Sequence, residues 1–311
     1  MTRGIPDAVL IAGPTASGKS RLAMEIAGRT GGMVINVDSL QVYRDMPILT
    51  ARPTGEDEAA IPHALYGYLA ADELMSAGRF TREVSSVLDD CRRGGLLPIL
   101  CGGTGLYFSS LLGRLDEMPE IPQAIRTAWR GRLEREGAEA LHAELGRIDP
   151  VAAGRIMPRD GQRVVRALEV FETSGKPLSA HQKGSGTGII DAAGALKLVL
   201  APERELLHAR IEARFDQMLA VGALAEVQDY LARRPETGRH VEKAIGCAEL
   251  GAVLAGNASI EEARERAVVR TRQYAKRQET WFRRQFGEDW LRAASVEEAL
   301  ALVMPKLAEQ D

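Results

Sequence analysis

The chain has 311 residues, 45% hydrophobic and 27% charged, the balance of an ordinary globular protein with room for one large domain or two modest ones. No apolar run approaches the ~20 residues that span a bilayer, and residues 1–7 lack the apolar stretch and cleavage site of a signal peptide, so a cytoplasmic protein without a membrane partner is expected. The net charge of −3 alone argues against a nucleic-acid partner. Residues 263–286 break that average, with Arg264, Arg266, Arg270, Arg272, Lys276, Arg277, Arg283 and Arg284 set against Glu265 and Glu279 only. Three scattered cysteines (Cys91, Cys101, Cys247) lack any CxxC or His pairing and read as reduced buried thiols.

In chain order, residues 8–12 form a short apolar run ending at a glycine, a buried strand. A helix follows from Lys19 and stops at Gly31-Gly32. Residues 33–37 give a second buried strand that ends at Asp38. An amphipathic helix is predicted over 79–93, with Phe80, Val84, Val87 and Leu88 on one side, then a strand over 96–101 closed by Gly102-Gly103. Strands alternating with helices predict an α/β fold, a parallel sheet wrapped by helices. Near Met118-Pro119 the pattern turns helical until about Ser179. Residues 184–188 form a flexible return, and 196–200 a strand that rejoins the sheet. Helices are predicted near 203–220, 222–234 and 260–286, then a short strand at Trp290-Leu291 and a closing helix from Val296. The expected organisation is a core of 1–118 and 190–311 with a mostly helical insertion at 119–189.

Gly13-Pro14-Thr15-Ala16-Ser17-Gly18-Lys19-Ser20 fits GxxxxGK[ST] between a strand and a helix, the context of a phosphate-binding loop. Backbone N–H groups in such a turn converge on one anion, the helix N-terminus adds partial positive charge, and Lys19 adds a full one. Ser20 is placed to offer its hydroxyl to a Mg²⁺ ion bridging the phosphate oxygens. The motif calls for a diphosphate or longer without saying what is attached, so a kinase or nucleotidase remains open. Yet no carboxylate stands at the tip of the 96–101 strand, where an ATPase would place a metal-binding acid. Ligands of such sheets bind outside the carboxyl ends of the strands, so Asp38, Thr104 and the glycine loop should cluster. Asp38 there is either a Mg²⁺ ligand or a general base.

The glycine loop, Asp38-Ser39-Leu40-Gln41-Val42-Tyr43-Arg44 and Gly102-Gly103-Thr104-Gly105-Leu106-Tyr107 together resemble the tRNA dimethylallyltransferases. The resemblance continues through 160–170, Arg214-Phe215, Ala244-Ile245-Gly246 and 271–278, across nearly the whole chain. It implies a P-loop NTPase-like fold that holds dimethylallyl diphosphate instead of a nucleotide. The reaction implied is transfer of the five-carbon group to the exocyclic amine of the adenosine 3′ of the tRNA anticodon. Lys19, Mg²⁺ and Arg214 would offset charge on the departing pyrophosphate, although a surface helix is the other reading of Arg214. Asp38 would act as general base. Contacts to tRNA would come from Asp38, Ser39, Leu40, Gln41, Thr104 and Arg126, from Gln162, Arg163, Val164, Val165 and Arg166, and from Lys243, Ala244, Ile245, Gly246, Cys247 and Ala248. Cys247 departs from the family, which has an aromatic residue there. The sequence lacks the C-terminal zinc finger of many eukaryotic relatives and so resembles the bacterial type; a monomer is expected. An isopentenyltransferase acting on free adenine nucleotides is the other alternative, but it needs neither the insertion nor the basic helix. In that helix Arg266, Arg270, Gln273, Arg277 and Arg284 share a face with Trp281 and are expected to meet RNA.

Overall fold

A computed structural model describes residues 6–116, 118–182, 184, 186–234, 236 and 239–308. The chain-start reading at 1–5 and Ser185 of the 184–188 return lie outside the described residues. The elements run β1 (Ala8–Ala12), α1 (Lys19–Thr30), β2 (Met33–Asn36), α2 (Pro47–Thr50), α3 (Gly55–Ala60), β3 (His63–Ala64), α4 (Ala77–Gly94), β4 (Pro98–Gly102) and α5 (Gly105–Leu111). The helices α6 (Gln123–Glu136), α7 (Ala138–Ile148), α8 (Pro150–Ala153), α9 (Gly161–Ser174) and α10 (Leu178–His181) follow. Then come β5 (Ala195–Leu200), α11 (Arg204–Ala220), α12 (Ala223–Arg233), a 3-10 turn (His240–Lys243), α13 (Cys247–Leu254), α14 (Ile260–Gln285), β6 (Leu291–Ala293) and α15 (Val296–Ala308).

The six strands form one parallel sheet in the order β3-β2-β4-β1-β5-β6. Every residue of β1 and β4 is buried, as expected where helices cover both faces. On one face Val9, Ile11, Ile99, Leu198 and Leu200 pack with Leu22 and Ile26 of α1 and Val296, Ala299 and Val303 of α15. Leu10, Ile35 and Leu100, alternating with these, are equally buried. β4 lies between β1 and β2, so the loops after β1, β4 and β2 line up along one edge, where the connections diverge and a ligand crevice opens.

Two compact units result, one of residues 1–111 with 189–311 and one of 112–188. The smaller has its own core of Trp129, Leu141, Leu145, Val164, Val165, Ala167 and Leu168. In the larger, α11 to α14 pack around Phe215, Val227, Leu250 and Val268 together with Val42, Tyr43 and Met46 from the segment after β2. α14 starts on a capping box in which Ser259 and Glu262 exchange hydrogen bonds.

The strand expected from Leu96 begins at Pro98 because Leu96 N–H instead donates to Cys91 O, closing α4 behind the left-handed Gly95. Likewise β2 stops at Asn36, whose side chain takes over the hydrogen bonds of Asp38. Six elements among the described residues have no counterpart in the sequence reading: α2, α3, β3, α5, the 3-10 turn and α13. None exceeds eight residues, too short for a helical or strand period to register.

Candidate active site

The glycine loop curls at the C-terminal end of β1. Gly18, at φ 98, caps α1, and Ala16 holds φ 62, a left-handed conformation costly for a residue with a Cβ. Lys19 donates from Nζ to Pro14 O at 3.3 Å. The buried Ser17 Oγ has no partner among the described residues, an atom that a bound anion could satisfy.

Two arginines reach this loop from one face of α11. Arg214 donates to Thr15 Oγ1 at 3.4 Å and Arg210 to Ser17 O at 3.2 Å. Arg214 is therefore not a solvated surface side chain. Its neighbour Arg210 escaped the sequence reading, although its four-residue spacing from Arg214 was visible. Burial lowers the proton affinity of both Lys19 and Arg214, while the negative charge of Asp38 acts in the opposite direction on each. Asp38 therefore lies within electrostatic reach of the cradle.

Asp38 is held by its own loop. Asn36, fully buried, accepts from Asp38 N–H at 2.8 Å and donates to Asp38 O and Leu65 O at 3.0 Å. One Asp38 carboxylate oxygen accepts from Leu40 N–H at 2.9 Å; Oδ2 has no protein hydrogen bond among the described residues. Thr104 ties this loop to the next strand, since its Oγ1 accepts from Ser39 N–H at 3.0 Å and its N–H donates to Val37 O at 3.2 Å. Gln41 spends its amide on Thr50 O and Ala51 O, at 2.9 and 2.8 Å, and so braces the wall of the site.

A cavity of about 380 Å³ opens between these loops, within the range of small-ligand sites. Lys19, Arg21, Arg52, Arg210 and Arg214 line it against Asp38 and Asp57. Arg21 is paired with Glu25 and Glu297, which leaves four cations facing two carboxylates, a balance that favours a polyanion. Ser20, exposed in the first turn of α1, also lines it. Among the described residues no group of three His, Cys, Asp or Glu could hold a metal. The exposed Ser20 hydroxyl in this cation-lined cavity nevertheless suits Mg²⁺, which keeps most of its water.

Helix α14 closes the site from the other side. Burial raises the pKa of Tyr274, with a further rise from the Asp38 charge. Gln278 lies one turn further on, and its amide bonds both Thr15 N–H and Gly103 O at 2.9 Å. Gln278 lay inside the family-like 271–278 segment but had no assigned role, because contacts 263 and 175 residues distant leave no local pattern. Trp281 was expected to face RNA, but it packs over Gly105, edge-on to Phe282 and Phe286 at 5.7 and 5.2 Å.

The remaining RNA-contact expectations divide by burial. Val164 and Val165 sit in the core of the smaller unit, and Ala244, Gly246 and Cys247 in that of the larger. Burial pushes the Cys247 thiol up to about 12. These are the inward-facing members of their segments. Gln162, Arg163, Lys243 and Ala248 are exposed; Arg126, Arg166 and Ile245 are half-buried. Burial, and then the nearby Arg126 charge, lower the Arg166 pKa, while Glu169 at 3.7 Å opposes them. The basic stripe of α14 is also thinned. Arg264 pairs with Asp216, Arg270 with Glu249 and Arg272 with Glu212. Arg266, Arg277 and Arg284 stay exposed, with Arg277 also over the Tyr274 ring at 5.7 Å.

A parallel sheet, a phosphate-binding loop and a carboxylate at a nearby strand end define a P-loop NTPase-like protein with an acid beside its anion site. Residues 41–285 match the family model described as IPP transferase, and the chain belongs to that family. The tRNA dimethylallyltransferase of Rhizobium meliloti strain 1021 is 50% identical over 286 residues, 92% of this chain and 94% of that protein. That of Chelativorans sp. strain BNC1 is 50% identical over 283 residues, 91% and 97% of the two chains. Among solved structures, the tRNA isopentenylpyrophosphate transferase of Bacillus halodurans superposes with a TM-score of 0.67 at 32% identity, over 97% of each chain. A eukaryotic dimethylallyltransferase acting on tRNA gives 0.79 at 29% identity, over 98% of this chain and 80% of that one.

Proposed function

We propose that this protein transfers a dimethylallyl group from dimethylallyl diphosphate to the exocyclic amine of the adenosine 3′ of the anticodon in tRNA, releasing pyrophosphate. The observation that carries the reading is the shared cavity of Asp38 and Lys19, a base and an anion grip reached from two strand ends. The absence of a carboxylate at the end of β4, which closes on Gly102, weighs against phosphoryl transfer.

An adenine amine is a weak nucleophile because its lone pair is delocalised into the ring. The reaction therefore depends on an allylic carbon and a stabilised leaving group. The loop amides, Lys19, Arg210 and Arg214 neutralise charge as it builds on pyrophosphate. Ser20 would hold Mg²⁺, which would supply further neutralising charge to the leaving group. Oδ2 of Asp38 accepts a hydrogen bond from the amine and takes its proton as the carbon–nitrogen bond forms. Thr104 holds the Asp38 loop at the right depth. The target base leaves its stack to reach this point, at a cost of about a few kcal/mol. Contacts from the insertion, through Arg126, Gln162, Arg163 and Arg166, and from Lys243 and Ala248, offset that cost on the anticodon stem–loop. Among the described residues no helix is long and apolar enough to cross a membrane.

Labelled dimethylallyl diphosphate with Mg²⁺ and either unmodified tRNA or AMP tests the proposal. Label confined to tRNA, at the adenosine beside the anticodon, is expected. Label in AMP, or ATP hydrolysis without transfer, would replace the proposal by one of its rivals. The double reversal Arg277→Glu and Arg284→Glu should weaken tRNA binding and lower the salt slope by about one unit per lost phosphate contact. An unchanged slope in a filter-binding titration would remove these two arginines from the interface.

A further inference from the structure

We propose that Gln278 is a positioning residue that sets the gap between the leaving diphosphate and the base that activates the acceptor. This deepens the function proposed above and rests on it. The side chain is 6% exposed and comes from α14, far in sequence from both partners. Its Oε1 accepts from Thr15 N–H in the anion-binding loop, and its Nε2 donates to Gly103 O in the loop after β4, each at 2.9 Å. The amide orientation is fixed by those partners, because an N–H only donates and a carbonyl only accepts.

The second link is Thr104. Adjacent to Gly103, it carries the Asp38 loop through Ser39 N–H. The strand ends holding the leaving group and the base are thus joined by one buried amide and one hydroxyl. Glycine is needed at 103 because a Cβ there would collide with the Gln278 amide nitrogen, and at 105 because a Cβ would enter the Trp281 ring. Two side chains of α14, one turn apart, therefore account for the second and third glycines of the Gly-Gly-Thr-Gly loop, while the first faces the Val37 backbone. Burying an amide that bonds both loops costs desolvation; the return is fixed geometry. Neither hydrogen bond engages substrate, so the effect should fall on turnover and not on capture. Misplacing reacting groups by about 1 Å costs on the order of 10²-fold in rate.

The test measures single-turnover transfer per diphosphate-binding site, with dimethylallyl diphosphate and unmodified tRNA. Gln278→Met, similar in shape but without the amide, should lower the rate on the order of 10²-fold while KM for the diphosphate moves less than about threefold. Gly103→Ala, which leaves every hydrogen-bonding group in place but displaces the amide, should give the same split. In a Gln278→Ala background the added methyl has room, so Gly103→Ala should cost less than about threefold further. A full per-site rate in Gln278→Met overturns the inference. So does a loss confined to the fraction of competent sites, or strict additivity in the double variant. Wild-type protein that transfers no label would instead overturn the function on which this rests.

Discussion

Asp38→Asn is expected to lower single-turnover transfer to tRNA by about 10²–10⁴-fold, the usual worth of a positioned general base. The substitution is mild for the fold. Asparagine keeps an oxygen for Leu40 N–H, and the backbone of residue 38 stays anchored by the Asn36 side chain. What disappears is the free Oδ2 and the negative charge. That charge faces Lys19 and Arg214, which it renders less available to an anion. Removing it should leave dimethylallyl diphosphate affinity unchanged or higher by calorimetry. The sign discriminates between roles, because loss of a magnesium ligand would weaken diphosphate binding along with turnover. Equal loss of both would make Asp38 a metal ligand.

Lys19→Met should raise the dissociation constant for the diphosphate by about 10- to 10²-fold, since hydrogen bonds to charged groups contribute roughly 1.5–3 kcal/mol. Stability should move the other way. Among the described residues the Lys19 ammonium has no ion-pair partner, only the Pro14 carbonyl. Burial disfavours its charged form, so folding works against this charge until an anion arrives. A methionine of similar length removes that penalty, and the melting temperature of the ligand-free variant should hold or rise. A variant that melts early, with affinity lost only in proportion to the folded fraction, would reduce Lys19 to a structural part. Retained affinity would refute its place in the anion grip.

Local signals explain which parts of the site could be anticipated. The loop from Gly13 to Ser20 is contiguous, and its chemistry resides in backbone geometry that glycine spacing encodes. Asp38 was visible because it ends an apolar run, and strand ends in a parallel sheet face the ligand edge. The tRNA contacts that the resemblance implies at Val164, Val165 and Cys247 have no such local signal. A motif marks a segment, whereas burial decides each side chain in it, and helical packing turned these residues inward. The basic helix shows the same limit. Its charge was countable, but the pairing of Arg264, Arg270 and Arg272 depends on acids brought in by α11 and α13.

From the sequence alone followed the parallel sheet, the anion-binding turn and the acid beside it, because each arises from neighbours in the chain: apolar runs, glycine spacing and the residue that ends a strand. Tertiary structure alone decided that Arg210 joins Arg214 at the cradle, that Trp281 packs over Gly105 and that Gln278 joins two loops. These contacts form between residues up to 263 positions apart. Such pairs leave no periodic trace, since their chemistry depends on the packing of α11 and α14 against the sheet edge and not on any residue beside them.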